Sequence, residues 1–149
     1  MRTLSLSIIA ALALSVAGLA TAFAGSYSNA TTVATARTGL GRIIVDGHGR
    51  TLYLFEKDRR GHSACSGACA VVWQPLLARS KPMATAGARQ SLLGLIRRAD
   101  GRKQVTYAAH PLYRYVGDTR RGQTNGEGSQ EFGAGWDALS PAGKKIERD

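Results

Sequence analysis

Cysteine is scarce in this chain of 149 residues: there are two, Cys65 and Cys69. Neither stands where an N-terminal lipid anchor would require one, so lipidation is not expected. Acid is scarce as well, with 10 Asp and Glu against 20 Lys and Arg, for a formal net charge of +10. No Gly-x-Ser-x-Gly, no phosphate-binding loop, no His-Glu-x-x-His and no workable Ser/His/Asp set occurs. The commonest hydrolase, nucleotide and zinc-protease chemistries are therefore left without residues. There is no tract of basic residues either. The cations come in scattered pairs, such as Arg59-Arg60, Arg97-Arg98, Arg120-Arg121 and Lys144-Lys145. That distribution suits a solvated surface with weak attraction to anionic cell-envelope surfaces, and no nucleic-acid partner is expected.

What is present begins with export. Met1-Arg2 is a short positive region, Leu4 to Leu19 is apolar, and Ala22-Phe23-Ala24 is a small-x-small cleavage site. This pattern predicts a signal peptide over 1–24 and a chain released to the periplasm or beyond, with no membrane span after cleavage. An uncleaved anchor is the competing reading, because the apolar stretch approaches the ~20 residues a spanning helix needs. Residues 25–39, rich in Ala, Thr and Ser, read as a flexible leader that could end in an edge strand, with order beginning near Leu40.

The rest of the chain states one pattern twice. Leu52-Tyr53-Leu54-Phe55-Glu56-Lys57-Asp58 returns 60 residues later as Leu112-Tyr113-Arg114-Tyr115-Val116-Gly117-Asp118. Trp73-Gln74-Pro75-Leu76 is answered by Trp136-Asp137-Ala138-Leu139. A fixed-offset repeat implies two equivalent units. Arg42–Val45, the Asp46-Gly47 turn and Thr51–Phe55 read as a hairpin. Residues 92–98, 104–107 and 111–116 read as a meander, and 117–135 as a long loop. The expected fold is all-β and mainly antiparallel. Two pseudo-repeats of hairpin or meander plus loop, about 40–78 and 91–143, share one core, with one short helix near 65–73 and a charged tail over 144–149. Alternation puts Tyr53 with Phe55, and Tyr113 with Tyr115, on one strand face. That aromatic face, with Trp73 and Trp136, is assigned to the core. The opposite face accepts Leu54 in one copy and Arg114 in the other, which predicts that it is partly wet.

Together, Tyr53-x-Phe55-x-x-Asp58 and Tyr113-x-Tyr115-x-x-Asp118 fit the pattern Y-x-[FWY]-x-x-D. Between them lies Ser63-x-Cys65-x-Gly67-x-Cys69-Ala70-x-x-Trp73-x-Pro75-Leu76, and later His110-Pro111-Leu112-Tyr113 and Gly122-Gln123-Thr124-Asn125-Gly126. In these motifs the chain resembles the bacterial "secreted repeat of unknown function" family, also described as predicted lipoproteins with that motif. The resemblance runs from about Leu40 to Gly143. It implies an exported tandem repeat. It implies no established activity and no catalytic residues, and this chain departs from the lipoprotein pattern in lacking the lipobox cysteine.

The candidate site residues divide into repeated and single-copy sets. Cys65 and Cys69 occur once. An exported chain with two cysteines favours a disulfide between them, worth about 2 kcal/mol for so small a loop. The competing reading adds His62 as a third ligand in a copper or thiol-redox site, since thiolate with imidazole suits copper. Asp58 and Asp118 read as turn caps, with acid–base catalysis as the alternative. His48 and His110 read as exposed turn residues. Asp118, Asn125, Glu127 and Glu131 offer oxygen ligands but do not match a calcium loop. No cofactor is predicted beyond the copper alternative. The functional expectation is an exported domain of unknown activity, non-enzymatic, with a binding or envelope-associated structural role and an unknown partner.

Overall fold

The computed structural model describes residues 30–147, so the signal-peptide segment lies outside the described residues. Strands dominate, in three mostly antiparallel sheets. The first sheet holds β1 (Thr32–Thr38), β2 (Gly41–Asp46) and the short β5 (Met83–Ala84), in the order β2-β1-β5. The third holds β6 (Leu93–Arg97), β7 (Lys103–Tyr107) and β8 (His110–Pro111). The central sheet is ordered β10-β3-β9-β4, from β3 (Tyr53–Phe55), β4 (Trp73–Pro75), β9 (Tyr113–Tyr115) and β10 (Trp136–Ala138). One helix, α1 (Ala68–Val72), lies within the stretch expected to be helical and stops where Gln74-Pro75 ends it.

The central sheet interlocks the repeats. β3 of the first repeat pairs with β10 of the second, with Phe55 opposite Trp136 and Tyr53 opposite Ala138. β9 of the second pairs with β4 of the first, with Tyr115 opposite Trp73 and Tyr113 opposite Pro75. At the middle, Tyr53 faces its own counterpart, Tyr113. The loops repeat this exchange. Ile44 N–H donates to Leu139 O, as Val105 N–H donates to Leu76 O, both at 2.8 Å. Glu56 N–H donates to Gly135 O, as Val116 N–H donates to Val72 O. Each unit thus completes the other's sheet.

This exchange corrects the expected hairpin. The Asp46 turn forms, with Asp46 N–H on Arg50 O and a bridge between Val45 and Thr51. Leu52 N–H still reaches Ile44 O, and past Leu52 the chain leaves β2, because Leu139 of the other repeat takes the Ile44 N–H. A second correction concerns the leader. Thr32–Thr38 is a full strand, not a flexible segment: β2 lies along one side, β5 covers Thr32 and Val33 on the other, and Val33 is wholly buried, while the later residues form the expected edge. Part of the charged tail is also engaged, with Ile146 N–H on Ala138 O and Lys145 on Glu56.

The third correction concerns the strand face opposite the aromatics. Tyr53, Phe55, Tyr113, Trp73 and Trp136 do enter one buried cluster, together with Cys65 and Cys69. Leu52, Leu54 and Leu112 enter a second, aliphatic cluster with Val33, Ile44, Leu76, Val105 and Leu139. Leu54 is only 3% exposed. Around these leucines the face is dry because the outer sheets cover it, while at Arg114, whose side chain is 29% exposed, it is partly wet as expected. Burying each such side chain stabilises by roughly 1.5–3 kcal/mol. Arg114 is tolerated there because its Nε donates to Oδ2 of buried Asp46 at 2.6 Å.

Candidate functional site

The repeated aromatics stack through the centre of the molecule. Trp73 and Trp136, one from each repeat, lie face to face with centroids 3.9 Å apart and planes 7° apart. Phe55 stacks on the far side of Trp136 at 4.0 Å, and Tyr115 lies against Trp73 at 4.5 Å. Tyr53 and Tyr113 meet Trp73 and Trp136 edge-on, at 5.4 and 5.2 Å. The edge-on contacts suit the ring quadrupole. Glu131 ties off both indoles: its Oε2 accepts Trp73 Nε1–H at 3.0 Å and its main-chain carbonyl accepts Trp136 Nε1–H at 2.8 Å. Gly126 permits the close approach, since a Cβ there would meet Trp73 at 2.6 Å.

The repeated acids are turn caps that also reach across the repeats. Asp58 N–H bonds to Phe55 O, and Asp118 N–H to Tyr115 O. Asp58 Oδ1 accepts Ala64 N–H at 2.6 Å, and Asp118 Oδ1 accepts Asn125 N–H at 2.9 Å. The second oxygen of each acid takes the other repeat's tyrosine. Tyr53 Oη donates to Asp118 Oδ2 at 2.6 Å, and Tyr113 Oη donates to Asp58 Oδ2 at 2.8 Å. The Y-x-[FWY]-x-x-D motif is therefore a pair of reciprocal clasps. A repeat in sequence identifies equivalent residues but not whether they pair within or between copies, which is why this was not foreseen.

The two clasps differ in surroundings. Asp118 is 1% exposed. Asp58 is half-buried and belongs to a longer chain of polar groups. Ser63 Oγ lies 2.7 Å from Tyr113 Oη. Buried Arg98 donates from Nη1 to Ser63 Oγ and Gln104 Oε1, and from Nη2 to Cys65 O at 2.6 Å. Gln104 donates onward to Leu112 O. Burial pushes the Asp58 carboxyl up to about 6, although the Ala64 N–H, Tyr113 and Arg98 all pull it down. Burial, then the nearby acid, pushes both tyrosine hydroxyls well above the usual phenol range. Tyr53 and Tyr113 thus stay protonated as donors. Arg98, Ser63 and Gln104 were missed as site residues in the sequence, and Glu131 was read only as a possible oxygen ligand. Gln104 falls on β7 with polar Thr106 two residues on, so its polarity alone did not set it apart.

Cys65 and Cys69 are joined as a disulfide with Cα atoms 5.3 Å apart. Cys65 is fully buried and Cys69 is 7% exposed. The bridge closes the turn that presents the Cys65 carbonyl to Arg98. In this bridged form neither sulfur is a thiolate. His62 is exposed in a tight turn with Arg59, their main chains bonded to each other. Among the described residues no three His, Cys, Asp or Glu side chains come together to hold a metal ion. The loop oxygens are committed elsewhere: Glu127 Oε2 accepts Ala138 N–H, Glu131 holds Trp73, and Asp118 holds Tyr53. A cleft of about 480 Å³ opens over the bridge, its walls including Ser63, Cys65, Val71, Arg98, Asp100 and Arg102. His48 sits exposed in the Asp46 turn, where its N–H bonds to Asp46. His110 is half-buried, and desolvation, helped by Arg60, lowers its pKa.

No helix among the described residues is long and apolar enough to cross a membrane. Neither a curated protein nor a solved structure matches the chain. One family does match, twice, over residues 34–77 and 94–140. The first match runs from β1 to just past β4, and the second from β6 to just past β10, so each spans one of the interlocked units. The chain belongs to this family, which is described as a secreted repeat of unknown function.

Proposed function

We propose that this is a non-enzymatic domain with a binding or structural role in the cell envelope, and that its tandem repeat serves to build one rigid body. The observation that supports this reading is the pair of reciprocal clasps. The first tyrosine and the aspartate of each copy of the motif are spent on bonds that join the two halves. Asp58 and Asp118 cap separate turns and each holds a protonated tyrosine, so neither is positioned as a general base. The disulfide takes the single-copy cysteines in the same direction. Buried and short in span, it braces the Arg98 network.

The test is a thiol and metal assay on protein exported in the cell and purified without chelator. The reading predicts no free thiol, no stoichiometric metal, and a Cys65→Ser/Cys69→Ser variant that folds but melts earlier. Stoichiometric Cu(I) bound by the wild type and lost in that variant would establish the copper-handling alternative at His62, Cys65 and Cys69 instead.

A further inference from the structure

The pseudo-symmetry of the two units breaks at one strand edge. β1 and β6 are counterparts, each paired on one side to β2 or β7. On its other side β1 is covered by β5 at Thr32 and Val33 only, where the Met83 and Thr85 N–H groups reach the Thr31 and Val33 carbonyls. Among the described residues no strand covers the outer side of β6. Ala108 N–H donates to Leu92 O, and Arg98 N–H to Arg102 O. In the antiparallel register of β6 on β7, residues 92, 94, 96 and 98 therefore turn their main-chain groups toward β7. Leu93, Leu95 and Arg97 turn theirs outward. Leu93 N–H is returned to Gln90 O. The Leu93 carbonyl and both main-chain groups of Leu95 and Arg97 have no protein partner among the described residues.

This edge lacks the usual protection. Leu93, Gly94, Leu95 and Ile96 are half-exposed and carry no charge, and Arg97 stands only at the end. An open apolar edge is a template for strand pairing. Its charge is also incomplete. Arg97 lies directly opposite Lys103 on β7, and neither makes an ion pair among the described residues. Like charges facing across a ladder are destabilising. An acid on a third strand, beside Arg97, relieves that repulsion. Leu93 and Leu95 share the face of Arg97 and pack against the aliphatic cluster. Apolar residues placed beside them extend that cluster.

We propose that the outer edge of β6 is a docking site for an extended acidic peptide segment of another protein, with apolar residues at alternate positions beside Leu93 and Leu95 and an acid beside Arg97. Main-chain pairing holds such a segment, and side chains select it. A second copy of this chain fits less well. It brings another Arg97 and a net charge of +10. A five-residue edge also supplies only a fraction of the ~800 Å² per partner that a stable dimer buries. The proposal rests on the binding half of the proposed function. It fails separately, because the thiol and metal assay is blind to this edge.

The probe is a capped peptide, Asp-Thr-Val-Thr-Val-Thr, titrated into isotopically labelled protein, with Lys-Thr-Val-Thr-Val-Thr as the control. The expected result is saturable shifts at the Leu95 and Arg97 amides below ~1 mM acidic peptide, and at least tenfold weaker binding of the basic one. Leu95→Pro removes the outward N–H together with the Leu95 side chain, touches none of the main-chain groups that face β7, and should weaken binding at least tenfold while the β7 ladder persists. Arg97→Glu, which keeps the main chain intact, should reverse the preference to the basic peptide. Saturation unchanged in both variants, or no shift with either peptide, overturns the proposal. A concentration-dependent dimer abolished by Leu95→Pro also overturns it and assigns the edge to a second copy.

Discussion

Replacing Tyr53 with Phe removes one oxygen from the centre of the molecule. That oxygen donates to Asp118 Oδ2 at 2.6 Å and accepts the Gly126 N–H at 3.3 Å. Asp118 is 1% exposed, so water cannot take the vacated place. A hydrogen bond to a charged group is worth about 1.5–3 kcal/mol, and a buried acceptor left open costs its desolvation. Tyr53→Phe should therefore lower stability by about 2–3 kcal/mol, or roughly 8–12 °C in a domain of this size. Tyr113→Phe is the matching change in the other repeat. There Asp58 keeps the Ala64 N–H and is half-buried, so solvent can replace the lost donor. Its cost should be about 1 kcal/mol. Urea unfolding checks both, read as midpoint shifts at constant slope. A Tyr53→Phe/Asp118→Asn cycle should add a coupling of at least ~1 kcal/mol. Equal costs for the two tyrosines, or a Tyr53→Phe cost under ~0.5 kcal/mol, would refute the clasp energetics.

Three further outcomes are expected. Asp58 has a folded-state pKa of about 6, above its ordinary value, so the native state holds its proton more tightly. Its stabilising contribution is complete below about pH 4 and is lost as pH rises through about 6. Solvent exposure discounts the nominal ~3 kcal/mol to about 1 kcal/mol, measurable as the difference in urea midpoints between wild type and Asp58→Asn across that window. Cys65→Ser/Cys69→Ser should cost about 2 kcal/mol by the chain-entropy argument and leave a folded protein, read by thermal melting under non-reducing conditions. Trp73→Ala and Trp136→Ala should each cost about 3–5 kcal/mol. Each should also lower both halves in one transition, seen as coincident fluorescence and circular dichroism melts.

Much of the fold was legible because repeats and alternation are local in sequence. Tyr53/Phe55 and Tyr113/Tyr115 alternate as strands do, and their clustering with Trp73 and Trp136 followed from that. The same local reading failed wherever a partner came from far along the chain. The Leu54 face looked wet because Arg114 stands in its place. Only the Asp46–Arg114 pair, 68 residues apart, explains how that arginine is accommodated. Thr32–Thr38 looked unstructured because Ala and Thr alternate without strong contrast, and its order comes from β2 and β5 on either side. The acids were read as turn caps, which they are. Their second task lies about 60 residues away, and no single copy of the motif reveals it. Arg98 looked like one of several surface pairs until the Cys65 carbonyl and Gln104 enclosed it.

The central claim is that the repeated motif joins the two halves rather than providing two sites. The most direct measurement is the amide spectrum of residues 30–80 and of residues 88–149, each produced alone and then mixed. Strands β3 and β9 each lack their partner strand in an isolated half. The account predicts collapsed, unfolded-like spectra for either half alone and a dispersed, native-like spectrum on mixing. A dispersed spectrum from one half alone, with its tyrosine and aspartate paired inside the same copy, would contradict it.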